Sequence, residues 1–169
     1  MSDSSQRFAV SVHPDELHFN AGHFITFDGT CENLHGHNFH VRIEAEGDNN
    51  RDAFVIDFVQ LTRIAAEICG QLHDKVLLPG NSSEVHLQQD GQQLHIASNG
   101  RKFSLPLENC EILPVDNTTA EMLAWYIMER LIPRLRSNSD LSHVDRLEVA
   151  VEEADRQWGI CRRRLGIDT

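Results

Sequence analysis

The segments Leu17-His18-Phe19-Asn20-Ala21-Gly22-His23-Phe24 and Cys31-Glu32-Asn33-Leu34-His35-Gly36-His37-Asn38 decide how this chain folds. Alternate side chains of a β-strand share a face. As a strand, the first segment and its continuation put Leu17, Phe19, Ala21, His23, Ile25 and Phe27 on one side. The second puts His35, His37, Phe39, Val41, Ile43 and Ala45 together and turns Asn38, His40, Arg42, Glu44 and Glu46 away. His23, His35 and His37 therefore lie in register with apolar residues. A lone histidine in such a place is usually a hydrogen-bonded core residue. Three that converge are satisfied together by one metal ion. Three protein ligands with a fourth position open is the pattern of catalytic zinc. Gly36, between two of the histidines, lets backbone or ligand approach closely. Cys31, four residues before His35, has two readings. It is a fourth ligand that closes a structural site, or a nucleophile or acid–base group whose thiolate a nearby metal favours.

The remaining pattern reads as strands, helix, hairpins, helix and strand. Phe8, Val10 and Val12 alternate in a first strand over Arg7 to Val12. Asp57 can cap a helix in which Leu61, Ile64, Ala65, Ile68 and Leu72 recur at helical spacing. Asp90-Gly91 between Val85/Leu87 and Leu94/Ile96 is a hairpin signal, and Asn99-Gly100 marks a second tight turn before Phe103 and Leu105. Thr118 to Glu121 fits a capping box that opens a helix with Ala124, Ile127, Met128 and Leu131 inward. Pro133 is expected to end that helix. Leu147, Val149, Val151 and Glu153 then alternate in a last strand.

One domain over 1–169 is expected at this length, with roughly 70% of the unfolded surface buried. A formal net charge of -11 argues against nucleic acid or an anionic membrane as partner. No apolar run approaches membrane length, and Met1 to Gln6 lacks the apolar stretch of a secretion signal. Cys31, Cys69, Cys110 and Cys161 form no Cys-x2-Cys pair. The expected compartment is a reducing cytoplasm.

Two further groups carry chemistry. Glu153 falls on the face of Leu147, Val149 and Val151, where a carboxylate needs partners. It either reaches solvent at the strand end or accepts two hydrogen bonds from a planar N–H donor pair. His73-Asp74, at the end of the first helix, can form a proton-transfer pair or simply a polar helix end. Adjacent helical residues do not face each other, so a working pair needs a less regular backbone or a subunit contact.

Phe19-Asn20-Ala21-Gly22-His23 followed by Cys31-x3-His35-Gly36-His37-Asn38 resembles the 6-pyruvoyltetrahydropterin synthase / 6-carboxytetrahydropterin synthase family. The resemblance continues, in the family's order, through Val55-Ile56-Asp57-Phe58, Leu72 to Leu78, Asn117-Thr118-Thr119-Ala120-Glu121 and Val149 to Glu153. It implies an α+β tunnelling fold, an antiparallel sheet with two helices on one face, here with inserted hairpins around 81–112. It also implies Zn2+ on His23, His35 and His37, and a homohexamer of two trimers. Glu153 matches the family's pterin-anchoring glutamate, with Glu121 and Thr119 as secondary contacts. The resemblance further implies proton transfer by Cys31 and by His73 with Asp74. The family usually has aspartate before histidine at that last place, and this chain has the reverse.

The implied substrate is 7,8-dihydroneopterin triphosphate. The x3 gap from Cys31 to His35 resembles the carboxy branch of the queuosine pathway, which cleaves a carbon–carbon bond and releases acetaldehyde. The pyruvoyl branch, which expels triphosphate, commonly has a longer gap. A third reading is a non-catalytic, zinc-stabilised pterin-binding module.

Overall fold

The computed structural model describes residues 7–13, 15 and 17–165. In chain order the elements are β1 (Phe8–Val12), β2 (His18–His23), β3 (Thr26–Phe27), β4 (Thr30–Cys31), β5 (His35–Gly47), α1 (Phe58–Leu72), β6 (Lys75–Pro79), β7 (His86–Asp90), β8 (Gln93–Ser98), β9 (Arg101–Pro106), β10 (Cys110–Leu113), α2 (Ala120–Arg136), β11 (Val144–Ala154) and β12 (Gln157–Arg164).

The long strand β5 organises the main sheet, whose order is β10-β6-β2-β5-β11-β12, with β1 also on β5. Along one edge of β5, β2 pairs over His35 to His40 and β1 over Ile43 to Gly47. On the other edge lies β11. The body of the sheet is antiparallel, and β6 alone runs parallel, to both β2 and β10. One face carries Phe19, Ala21, Phe39, Val41, Ile43, Ala45, Leu147, Val149 and Val151. Both helices pack there, so the α+β arrangement follows from that single apolar face.

Asp57 caps α1, its carboxylate accepting from the backbone N–H of Val59 at 2.8 Å and Gln60 at 3.3 Å. The expected stripe of Leu61, Ile64, Ala65, Ile68 and Leu72 is buried. In α2 the cap is Thr119, whose hydroxyl accepts from Met122 N–H at 3.4 Å. The capping box expected from Thr118 is therefore displaced by one residue. Thr118 is instead buried, and its hydroxyl donates to the Phe24 carbonyl at 2.8 Å. Pro133 does not end α2, which runs on to Arg136. A proline costs one N–H bond there, but burial of Leu131, Ile132 and Leu135 carries the helix through another turn.

Two further strand expectations change. The parity of the first segment stops at His23, because the chain leaves the sheet: Ile25 is half-buried and Phe27 is 53% exposed. Phe24 instead stacks on Phe103 at 5.5 Å. The last strand expected from Leu147 to Glu153 is followed by a partner, β12, which pairs with it antiparallel from Arg146↔Arg164 to Ala154↔Gln157. The arginines and glutamine of β12 mask it as a polar tail. The inserted pair of hairpins is present as expected, and forms a separate three-stranded sheet, β7-β8-β9. Asn99 and Gly100, at φ 46 and 83, make the two-residue turn between Ser98 and Arg101. Leu94 and Ile96 of this sheet join Phe24, Cys31, Leu78 and Val85 in a second, smaller core.

The outer face of the main sheet holds a charged network. Glu148 is 6% exposed and accepts from Arg42 at 3.0 Å and Arg162 at 2.6 Å. Arg42 also lies over the Trp158 ring at 5.3 Å. Burial pushes the Glu148 carboxyl up, but the hydrogen bonds and charges of Arg162 and Arg42 outweigh it and hold it below the usual range. A carboxylate depressed in the folded state stabilises above its unfolded pKa, and this contribution is lost as pH falls. Glu148→Gln should therefore lower unfolding stability near neutral pH by about 1.5–3 kcal/mol. The two proteins should converge below the usual carboxylate range, about pH 4. Denaturant titrations across that range check this; a constant difference down to acid pH would contradict the charge assignment.

Candidate metal centre

The β2–β5 register sets His23 directly opposite His35, and Ala21 opposite His37. Three imidazoles therefore meet at the sheet end nearest the start of α2. Their ring centroids lie 4.7 Å (His23–His35), 5.2 Å (His23–His37) and 4.9 Å (His35–His37) apart. Glu153 joins them, its Oε1 lying 3.4 Å from both His23 Nε2 and His37 Nε2. One ligand atom from each of these four residues falls within 4.8 Å of every other.

Backbone contacts decide which ring nitrogens face the centre. His23 Nδ1 lies 2.9 Å from the Thr118 carbonyl, and His35 Nδ1 lies 2.8 Å from the Asn33 carbonyl. A carbonyl only accepts, so each Nδ1 carries the proton and each Nε2 keeps its lone pair. This orienting contact is the one that metal-binding histidines make. The contact to Thr118 depends on Gly159 of β12. A Cβ there would lie 2.3 Å from the Ala120 and Glu121 backbone, so only glycine lets the start of α2 press this close. Burial holds the His23 imidazole below the usual range; the Thr118 carbonyl and Glu153 oppose this only partly, while His35 and His37 add to it. His23 is thus neutral at pH 7, fully buried, and its Nε2 has no hydrogen-bond partner; His37 Nε2 is likewise buried and unpartnered. Buried nitrogens with inward lone pairs facing a carboxylate fit a cation. N and O donors of this kind suit zinc.

Glu153 owes its aim to a β-bulge that sequence reading did not show. Glu152 pairs with Trp158 and Ala154 with Gln157, which leaves Glu153 as the extra residue. Cys31 is not in the cluster. It is 2% exposed within the smaller core, and its thiol donates to the Glu32 carbonyl at 3.4 Å. The reading of Cys31 as a fourth ligand is not supported: the fourth member of the cluster is Glu153. Glu32, which sequence reading passed over, is half-buried beside Cys31, and its Oε2 accepts from Ile25 N–H at 3.3 Å.

His73 and Asp74 lie elsewhere, against Asn20. Asn20 N–H donates to His73 Nδ1 at 3.4 Å, and Asn20 Nδ2 donates to Asp74 Oδ1 at 3.4 Å. Asp74 has φ 58, the irregular backbone an adjacent pair needs, and His73 Nε2 comes within 3.7 Å of Asp74 Oδ2. Asn20 and His23 fall on opposite faces of β2, and neither His73 nor Asp74 is a member of the histidine cluster. Thr119 is occupied as the α2 cap, and Glu121 is exposed on the first turn.

The chain matches the family model described as 6-pyruvoyl tetrahydropterin synthase over residues 14–164. It is 33% identical over 149 residues to a Methanocaldococcus jannaschii protein provisionally named 6-carboxy-5,6,7,8-tetrahydropterin synthase, covering 88% of this chain and 90% of that one. It is 29% identical over 126 residues to the Haemophilus influenzae 6-carboxy-5,6,7,8-tetrahydropterin synthase, covering 69% and 78%. Among solved structures, Plasmodium falciparum 6-pyruvoyl tetrahydropterin synthase superposes with TM-score 0.87 at 28% identity, covering 95% of this chain and 100% of that one. A Plasmodium vivax 6-pyruvoyltetrahydropterin synthase, in a catalytic-residue variant with glutamate changed to alanine, superposes with TM-score 0.87 at 29% identity and the same coverage. With the match spanning nearly all of the chain, and the same α+β tunnelling fold in those structures, the protein belongs to the 6-pyruvoyl tetrahydropterin synthase family, whose members are pterin-processing enzymes.

Proposed function

We propose that this protein is a zinc-dependent lyase that converts 7,8-dihydroneopterin triphosphate to 6-carboxy-5,6,7,8-tetrahydropterin. One observation carries the reading: three histidines, two with tautomers fixed by backbone carbonyls and two with buried unpartnered nitrogens, converge with a carboxylate in a chain whose relatives carry the carboxy-synthase name. His23, His35 and His37 hold the metal. When bound, zinc supplies a Lewis acid that lowers the pKa of substrate hydroxyl groups.

The chain's own groups divide the remaining work. Glu153 receives the N–H donors of the pterin ring, with Glu121 and Thr119 at the rim. Cys31 moves protons at the side-chain carbons. His73, oriented by Asp74, is the complementary acid or base. Because it stands apart from its own histidine cluster, it serves a neighbouring subunit in a homohexamer of two trimers. Assembly also covers the edges of an open sheet. One domain spans the chain, and its four free thiols suit a reducing cytoplasm.

The pyruvoyl-forming reaction is a second reading, favoured by the Plasmodium structures and by Glu32. A catalytic glutamate is named for the P. vivax enzyme, and Glu32 stands beside Cys31 with its carboxylate anchored on the Ile25 amide. On that reading Glu32 moves the proton, triphosphate leaves as before, and the side-chain carbons stay on the ring. Mass spectrometry of the product from the zinc-loaded protein separates the two, since triphosphate leaves in both: 6-carboxytetrahydropterin with acetaldehyde supports the first, a pyruvoyl product without acetaldehyde the second.

Three outcomes are expected. His35→Ala should lose most of the one zinc per chain, read by elemental analysis, while the fold persists; full occupancy would remove His35 from the ligand set. Glu153→Gln should weaken binding of a neopterin ligand by about ten- to a hundredfold, the equivalent of losing a charge-assisted hydrogen bond worth roughly 1.5–3 kcal/mol. Cys31→Ala should keep zinc and pterin binding while single-turnover rate collapses. Turnover at the parent rate would make the cysteine a bystander.

A further inference from the structure

The distances around Glu153 say more than that it neighbours the histidines. For a tetrahedral ion with ligand bonds of about 2.0–2.1 Å, the separation between two ligand atoms is about 3.3–3.4 Å. Glu153 Oε1 lies 3.4 Å from both His23 Nε2 and His37 Nε2. These two separations match the edges of such a tetrahedron, and the ligand atoms of all four residues lie within 4.8 Å of one another. A proton on one ring would satisfy one of these contacts and leave the other nitrogen without a partner. A cation shared by all four residues satisfies the set.

Glu153 is also at the border of open space. Glu153 is 20% exposed and, with Asn38, His40, Glu152 and Ala154, lines a cleft of about 340 Å³. That volume is at the small end of ligand pockets. The bulge at Glu153 lies between the two environments and leaves this residue without a ladder partner. A carboxylate that neutralises an ion is a weak acceptor for a ring's N–H donors, so its two uses compete.

We propose that Glu153 is an exchangeable fourth ligand, closing the metal's shell in the resting protein and leaving it to receive the N–H donor pair of an incoming ring. This rests on the pterin reading above and adds an order of events. Ring binding opens a coordination position, so the metal becomes available only when a ring with the right donor edge is present. Substrate recognition and metal activation are then carried by one side chain, and the resting site is shielded from stray ligands.

The test uses the full chain loaded with Co2+, whose four-coordinate complexes absorb visible light severalfold more strongly than those of higher coordination number. The native protein should show the strong band. Glu153→Gln should show a weaker, shifted band. Its Co2+ affinity should fall by at least the ten- to hundredfold that loss of even an outer-shell partner costs. Adding pterin itself, which lacks the side-chain hydroxyls, should move the native band toward that of the variant and leave the variant's band in place. The native arm needs no substitution, so it decides the matter even if the variant misfolds. A variant with unchanged band and affinity overturns the ligand assignment. A native band unmoved while pterin fluorescence reports saturated binding overturns the exchange alone. Absence of any pterin binding to the native protein sinks the pterin reading, and the exchange with it.

Discussion

The pairing of His23 opposite His35 across the β2–β5 ladder is the constraint on which the site depends. In a strand the side-chain period is two, so a slip of one residue would send every histidine to the outer face and every outer residue into the core. The apolar partners prevent that slip. Phe19 and Phe39 lie directly opposite and stack at 4.9 Å, and both are fully buried. The same burial that stabilises the sheet therefore sets the histidines face to face. Packing and the placing of the histidine cluster are one specification here, read from one face.

What the sequence disclosed, and what it withheld, follows from the range of the interactions concerned. Alternation and helical spacing are local, so the histidine face, the Asp57 cap and the Asn99-Gly100 turn were all legible. The place of Glu153 beside the histidines was not, because a bulge is a relation between β11 and β12, and β12 was itself hidden by its charged residues. Thr118 and Thr119 look interchangeable as caps. Only the demand of the Phe24 carbonyl for a donor, and of His23 for an acceptor, assigns them different tasks. Pro133 shows tertiary burial overriding a local stop signal. His73 and Asp74 were found as a pair, but their distance from the histidines depends on which face of β2 they meet.

The two faces of the main sheet embody opposite solutions to burial. The helix side excludes water with aliphatic and aromatic groups. The outer side holds a nearly buried carboxylate between two arginines, one of them over an indole ring. An ion pair of this kind adds little net stability compared with a hydrophobic substitute, but it penalises misplacement strongly, since a shifted strand would strand a charge. The network crosses β5, β11 and β12, the strands that carry two histidines and Glu153. It therefore ties the relative register of those strands to charge pairing as well as to shape.

Both acceptors that hold the Nδ1 protons of His23 and His35 are main-chain carbonyls, of Thr118 and Asn33. No side-chain replacement at either position deletes a carbonyl. The protonation pattern of the rings is thus inherited from the path of the chain, not from the identity of a neighbouring residue. Drift at positions 118 and 33 is electronically silent to the rings as long as the backbone keeps its course. Position 159, remote in sequence and without a functional group, is where that course is vulnerable, because a single methyl there would push the start of α2 away from His23.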